Sequence, residues 1–469
     1  MRRFRLQSAY LPQGWVSNAL VTVSDAGSIT GVATAPVDGG ENLSAAERVD
    51  GIVVPGMANA HSHAFQRALA GNTEYRSSAR DSFWTWRRAM YALANRIEPD
   101  DLQILATQLF IEMLKSGYTS VAEFHYLHRK RDGTPYAGTN ALWEAIGSAA
   151  SVAGIGLTFL PTLYQSSDFG GQALKPEQAR FASATDAFLR AVEERIGAER
   201  RGSGGAVRTQ RTGAAFHSLR AVPFETLRET ALRLREIDAG MPVHIHVAEQ
   251  VLEVKACVRT TGRRPVELLL DSGLLTPQWC LVHATHANRA ELAGLAATGA
   301  SVCVSISTEA NLGDGFFDTV RYLDAGGRLC VGSDSQSTVS PAEELRWLEY
   351  QQRLRKKQRG VLASNTEPHV GTRLWRDAAQ HGAHAIGQPS GAIEVGRRAD
   401  WVVLDAGHPS MVGAAADAAL DHLLFSGGDA AIRDVMVAGR WVVKDRRHEA
   451  EDAVLGRFAG LLQRLGASA

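Results

Sequence analysis

The chain has 469 residues, enough to bury a large core, and its length suggests one big domain with a smaller companion. Its 45% hydrophobic and 21% charged residues are those of an ordinary globular protein. With 50 Lys+Arg against 50 Asp+Glu, bulk charge is excluded as a means of holding nucleic acid or a membrane surface, so any anion recognition must be local.

The start, Met1-Arg2-Arg3-Phe4-Arg5, is basic but leads into no apolar segment, and no run of roughly 18 apolar residues follows it. The expectation is a cytoplasmic chain. Cys257, Cys280, Cys303 and Cys330 form no Cys-x-x-Cys, which suits reduced thiols better than a zinc knuckle or redox pair. Leu20 to Ser24 and Ser28 to Val32 flank Asp25-Ala26-Gly27 as a hairpin.

After the apolar run Ile52 to Met57 comes His61-Ser62-His63. Side chains alternate on an extended segment, so both imidazoles share one side and can hold one divalent ion. With 15 histidines in the chain, a hydrogen-bonded core pair is the alternative. Beyond this point apolar strands alternate with helical stretches, among them Asp100 to Lys115, Glu177 to Ile196, Phe224 to Asp238 and Pro341 to Gln358. Eight candidate strands end near His61/His63, Glu123/His125/Tyr126, Tyr164, His217, His246, His283, Ser305 to Ser307, and Asp334. Such alternation predicts an α/β protein built on a (β/α)8 TIM-like barrel, with functional groups at the C-terminal strand ends. A doubly wound sheet is the alternative, but no Gly-x-Gly-x-x-Gly follows a strand. The Arg/Gly/Ser-rich stretch Ala198 to Gly213 reads as a flexible surface loop.

Strand texture returns at Ala399 to Leu404 and in a hairpin from Val435 to Val443 turning at Ala438-Gly439. Both chain ends are therefore expected to join in one small β-sandwich, followed by a helix from Glu451 to Leu465. The domain reading is residues 1–57 for the first part of the sandwich, 58–391 for the barrel, and 392–469 for the second part and helix.

On the fifth barrel strand His246 lies three residues before Glu249 and nearest the strand end, so it is the better third ligand. His244 shares its face but sits deeper, which suits a core role. Glu249 projects from the first turn beyond the strand, within reach of a metal-bound water; an ordinary helix-start residue is the alternative. His283 ends the sixth strand and Asp334 the eighth, where Ser-Asp-Ser could also be turn or cap chemistry. Their recurrence at successive strand ends points to a single site.

Together, His61-x-His63, His246-x-x-Glu249, His283 and Asp334 resemble the amidohydrolase superfamily over essentially the whole chain. Binuclear members carry a carboxylated lysine at the end of strand four, whereas this chain has His217-Ser218-Leu219-Arg220 and no Lys there. The pattern, with Gly391 to Asp400, resembles the mononuclear deaminase and chlorohydrolase branch instead. That resemblance implies one divalent ion per chain, Zn2+ or alternatively Fe2+, on His61, His63, His246 and Asp334. It implies that His283 hydrogen-bonds the attacking water and the tetrahedral intermediate. Asp334 would also help draw off the water proton, and Glu249 would carry protons to the departing nitrogen.

A narrower resemblance, to the N-formimino-L-glutamate deiminase family of histidine degradation, rests on five segments: His61 to Arg67, Phe83 to Arg87, Glu123 to Tyr126, His217 to Arg220, and Ser335 to Gln351. It implies a small dianionic, amino-acid-derived substrate. Arg220 and Arg87 would bind the carboxylates, and Gln66, Tyr126 and His217 would add uncharged donors. The products would be N-formyl-L-glutamate and ammonia. The resemblance also implies a homodimer, with neither nucleic acid nor membrane as partner. For Arg87 alone, a packed helix surface with Trp84, Trp86 and Arg88 is the alternative. A guanine- or nucleoside-type deaminase and a catalytically inactive barrel scaffold are the competing functional readings.

Overall fold

The chain opens with β1 (Arg2–Leu11), β2 (Gly14–Val23), β3 (Ile29–Thr34) and β4 (Glu47–Pro55). The protein is described by a computed structural model at residues 1–34, 46–75, 81–137, 140–202 and 209–466. Nine strands follow: β5 (Met57–Ser62), β6 (Tyr118–His125), β7 (Gly156–Leu163), β8 (Gln210–Thr212), β9 (Ala214–Ser218), β10 (Val243–Val247), β11 (Trp279–His283), β12 (Ser301–Val304) and β13 (Arg328–Val331). All of these except β8 are parallel neighbours in the order β13-β12-β11-β10-β9-β7-β6-β5, and β8 pairs with β7. Most of their residues are buried, because helices cover the outside and side chains fill the inside.

The two ends of this sheet meet. A parallel bridge joins Ser62 to Asp334, and the backbone N–H groups of Ser333 and Asp334 both donate to the His61 carbonyl at 3.0 Å. The seam is tight at Gly332, where a β-carbon would lie 2.7 Å from the His61 carbonyl oxygen and 2.9 Å from its nitrogen. The segments that close the barrel are thus the ones carrying His61, His63 and Asp334.

The last strands, β14 (Trp401–Leu404), β15 (Ile432–Val437) and β16 (Arg440–Val443), join the first four in a seven-stranded sheet ordered β16-β15-β14-β4-β1-β2-β3. Every pairing in it is antiparallel except β1 with β4. Ala438 (φ 48°) and Gly439 (φ 74°) make the turn between β15 and β16, with the two positive φ values that a tight hairpin requires. Phe4, Leu6, Val21, Val53, Trp401 and Val403 form a core separate from the barrel's. Arg398 and Asp400, both fully buried, pair at 2.6 Å where the chain leaves the barrel for this sheet.

Two stretches differ from the sequence reading. Glu177 to Ile196 is not one helix: a tight turn at Pro176–Phe181 precedes a helix at Thr185–Gly202. The break follows from Arg180, whose buried guanidinium donates to the carbonyls of Ala94, Ile97 and Arg129 and pins the turn to its neighbours. Ala198 to Gly213 is not a continuous loop either, since its start continues that helix and Gln210–Thr212 is β8. Glu199 accepts from the Thr212 backbone at 3.1 Å, which ties the two together. Residues 203–208 of that stretch lie outside the described residues. Among the described residues, no helix is long and apolar enough to cross a membrane.

Candidate metal and substrate site

At the C-terminal end of the barrel the Nε2 atoms of His61, His63 and His246 converge, with separations of 3.1, 3.3 and 3.0 Å. Asp334 Oδ1 lies 3.4 Å from both the His61 and His63 nitrogens. All four donors fall within 4.8 Å of one another, and all four residues are buried. A tetrahedral ion about 2.0–2.1 Å from each donor sets them roughly 3.3–3.4 Å apart, so the residues fit such an ion.

The tautomers agree. His63 Nδ1 donates to the Phe124 carbonyl at 2.8 Å and His246 Nδ1 to the His217 carbonyl at 2.9 Å, leaving each Nε2 with a lone pair turned inward. Burial lowers the pKa of all three histidines, that of His63 to about 3, so the cluster holds neutral imidazoles. Lone pairs packed this closely repel unless a cation sits among them. Burial works against ionisation of Asp334, yet the neighbouring rings of His61, His283 and His63 hold its carboxyl below the usual range.

Next to this quartet, His283 Nε2 lies 3.7 Å from Asp334 Oδ2 and 3.8 Å from Glu249 Oε1. Its Nδ1 faces Glu309 Oε1 at 3.2 Å. Burial opposes a charge on His283, yet the surrounding carboxylates of Glu249, Glu309 and Asp334 raise it to about 10. Glu249 is pushed up to about 7, by burial first, with Asp334 and Glu253 adding repulsion. Ala248 (φ 51°), His283 (φ 70°) and Asp334 (φ 45°) all take left-handed backbone conformations at the ends of β10, β11 and β13. Non-glycine residues there carry strain of order 1–3 kcal/mol each, concentrated where the side chains must converge.

His63, His246, Glu249, His283 and Asp334 line one cavity with Gln66, Arg87, Tyr126, His217 and Arg220. Every residue assigned from sequence, except the deeper-set His61, therefore lies on its wall. Arg220 is 6% exposed, and its Nε has no hydrogen-bond partner among the described residues. Arg87 lies on a helix at Phe83–Ala94, donates from Nε to the Tyr91 hydroxyl at 2.6 Å and stacks over that ring. It is part of the cavity wall rather than a solvated surface. Gln66 donates to the Tyr126 hydroxyl at 2.9 Å, and its Oε1 has no partner among the described residues. His217 packs edge-on against Tyr164 and Tyr126. His244 stays in the core, with Nε2 bound to the Ala385 carbonyl.

Sequence reasoning missed several neighbours. Glu309 grips His283, and Asp314, buried and bonded to Gln250, is raised to about 9 by burial and by Glu249. Tyr91, Tyr164 and Gln178 support Arg87, while Phe83, Trp86, Met90 and Leu312 supply the apolar wall. Tyr164 carried a signal, since it ends a barrel strand. Glu309 also had one, in the first turn after the seventh strand.

The fold and these strand-end side chains define a barrel hydrolase of one family. Residues 52–442 match the amidohydrolase family, and this chain belongs to it. The formimidoylglutamate deiminase of Pseudomonas aeruginosa is 47% identical over 459 residues, covering 98% of each chain. The crystal structure of an amidohydrolase from Brucella melitensis superposes with a TM-score of 0.91 at 39% identity, covering 99% of this chain and 100% of that one. An adenosine deaminase from Xanthomonas campestris with bound zinc shares the fold, with a TM-score of 0.80 at 21% identity over 99% of this chain and 98% of that one.

Proposed function

We propose that this protein is a hydrolytic deiminase converting N-formimino-L-glutamate and water into N-formyl-L-glutamate and ammonia, with one zinc ion on His61, His63, His246 and Asp334. Arg220 carries the reading. A buried guanidinium whose Nε lacks a partner among the described residues is costly, and an anionic ligand relieves it. Arg87 adds a second cation on the same wall, matching a substrate with two carboxylates. The substrate named for the 47% identical relative has that chemistry. Three neutral imidazoles and a carboxylate suit zinc, and Fe2+ fits the same donors.

A divalent ion held by these residues would supply the Lewis acidity that lowers the pKa of water to about 7. Arg220 and Arg87 bind the carboxylates, with Gln66, Tyr126 and His217 completing the polar wall, and so aim the formimino carbon at the quartet. Asp334 Oδ2, on the side facing His283, accepts the proton of the attacking water. His283, held by Glu309, stabilises the negative charge that develops on the oxygen. Glu249, near half-protonation at neutral pH, gives its proton to the terminal nitrogen as the C–N bond breaks. The terminal C=N bond gives way to C=O, and both protons of the water, one by way of Asp334 and one by way of Glu249, end on the terminal nitrogen, which departs as ammonia. We extend the proposal to a cytoplasmic homodimer without nucleic-acid or membrane partners, tested by sedimentation and cell fractionation.

The experiment is ammonia release by the metal-loaded protein from N-formimino-L-glutamate, N-formimino-L-aspartate, guanine and adenosine. The formimino acids should be hydrolysed and the purines left intact. Activity confined to a purine would replace this reading with a nucleoside- or base-deaminase one.

A further inference from the structure

A phenol hydroxyl has one proton to donate and two lone pairs with which to accept. Gln178, 1% exposed, accepts from the Lys175 backbone N–H through Oε1 at 3.0 Å, which fixes the orientation of its amide. Its Nε2 therefore donates to the hydroxyl oxygens of Tyr164 at 2.8 Å and Tyr91 at 3.2 Å. Tyr91 accepts a second bond from Arg87 Nε at 2.6 Å, so its lone pairs are filled. The Tyr164 oxygen is 3.5 Å away, and the filled Tyr91 oxygen cannot accept its proton. Among the described residues, the Tyr164 proton is left without an acceptor.

Tyr164 is 1% exposed, follows β7 directly, and lies on the wall of the cavity shared with Arg87 and Arg220. Burial holds its phenol well above the ordinary pKa, so the proton is retained. We propose that Tyr164 is a substrate-binding residue whose hydroxyl donates to a carboxylate of the ligand held by Arg87 and Arg220. This rests on the deiminase reading and adds a donor that fixes which dicarboxylate geometry the cavity accepts.

The test is Tyr164→Phe in the metal-loaded enzyme, which removes one oxygen and keeps the ring. KM for N-formimino-L-glutamate should rise about 10- to 100-fold while kcat stays within about threefold. Affinity for glutarate, measured by calorimetry, should fall by a similar factor. On one of two truncated substrates, each lacking one carboxylate, the KM penalty should vanish. Unchanged KM and glutarate affinity would overturn the proposal, as would an equal penalty on all three substrates, which marks a structural loss. If the wild type hydrolyses no formimino acid, the deiminase reading fails, and the glutarate comparison still decides the role of Tyr164.

Discussion

Replacing Arg220 with methionine should separate binding from stability. Methionine preserves much of the stem and removes the charge. Arg220 lies two residues beyond β9, is 6% exposed, and makes no ion pair among the described residues. Its removal therefore breaks no protein salt bridge and relieves a desolvated charge, so the melting temperature should hold or rise. Against substrate the balance reverses. Losing one side of a buried, hydrogen-bonded charge pair costs about 2–5 kcal/mol. At about 1.4 kcal/mol per tenfold, kcat/KM for N-formimino-L-glutamate should drop about 30- to 4000-fold. Continuous ammonia detection, with metal content and melting temperature measured on the same preparations, makes the comparison. A kcat/KM within about threefold of wild type would refute the carboxylate clamp. A fall in melting temperature of more than about 5 °C would show instead that Arg220 supports the fold.

Gly332→Ala would place a β-carbon within 2.9 Å of three His61 atoms, two of them backbone atoms that cannot swing aside. We expect about 1–3 kcal/mol of destabilisation and a lower metal content; full metal loading with wild-type melting would contradict the closing-seam account. Glu249→Gln has no proton to transfer and should lose about 10²–10⁴ in kcat while keeping its metal, because Glu249 is outside the donor quartet. Metal lost along with activity would instead place Glu249 among the ligands. Burial raises Glu344 to about 8 despite its bonds from Ser307, so its folded pKa lies above its ordinary value of 4.5. Its contribution to stability is complete below 4.5 and is lost as pH rises through 8. In urea titrations across that window Glu344→Gln should gain stability relative to wild type with rising pH, and parallel curves would show that Glu344 titrates normally.

Much of the barrel is legible in the sequence because each strand is an apolar run that stops at a chemically distinctive residue. Depth along one strand separates His246, at the mouth, from His244, in the core. Contacts between distant segments are harder to read. Glu309 meets His283 across 26 residues, and in the sequence an acid in the first turn of the helix Ile306–Leu312 looks like a simple complement to the helix dipole. Tyr164 stands out as a strand end, but its hydrogen-bonding state depends on Gln178 and on Tyr91, 73 residues away. Composition misled at Ala198 to Gly213, where Arg, Gly and Ser suggest a loop. There the bond between Glu199 and Thr212 secures a helix end and a strand. The strand-end pattern was readable, whereas the left-handed backbone at His283 and Asp334 that aims their side chains was not.

The formimino carbon carries two nitrogens, and protonation decides which one leaves. In the proposed reaction Glu249 gives that proton to the terminal nitrogen. Turnover of N-formimino-L-glutamate in heavy-oxygen water, followed by mass spectrometry of the products, tests this most directly. The prediction is N-formyl-L-glutamate with one heavy oxygen on its formyl group and one equivalent of ammonia. Glutamate with labelled formamide, or no turnover by fully metal-loaded protein, would contradict it.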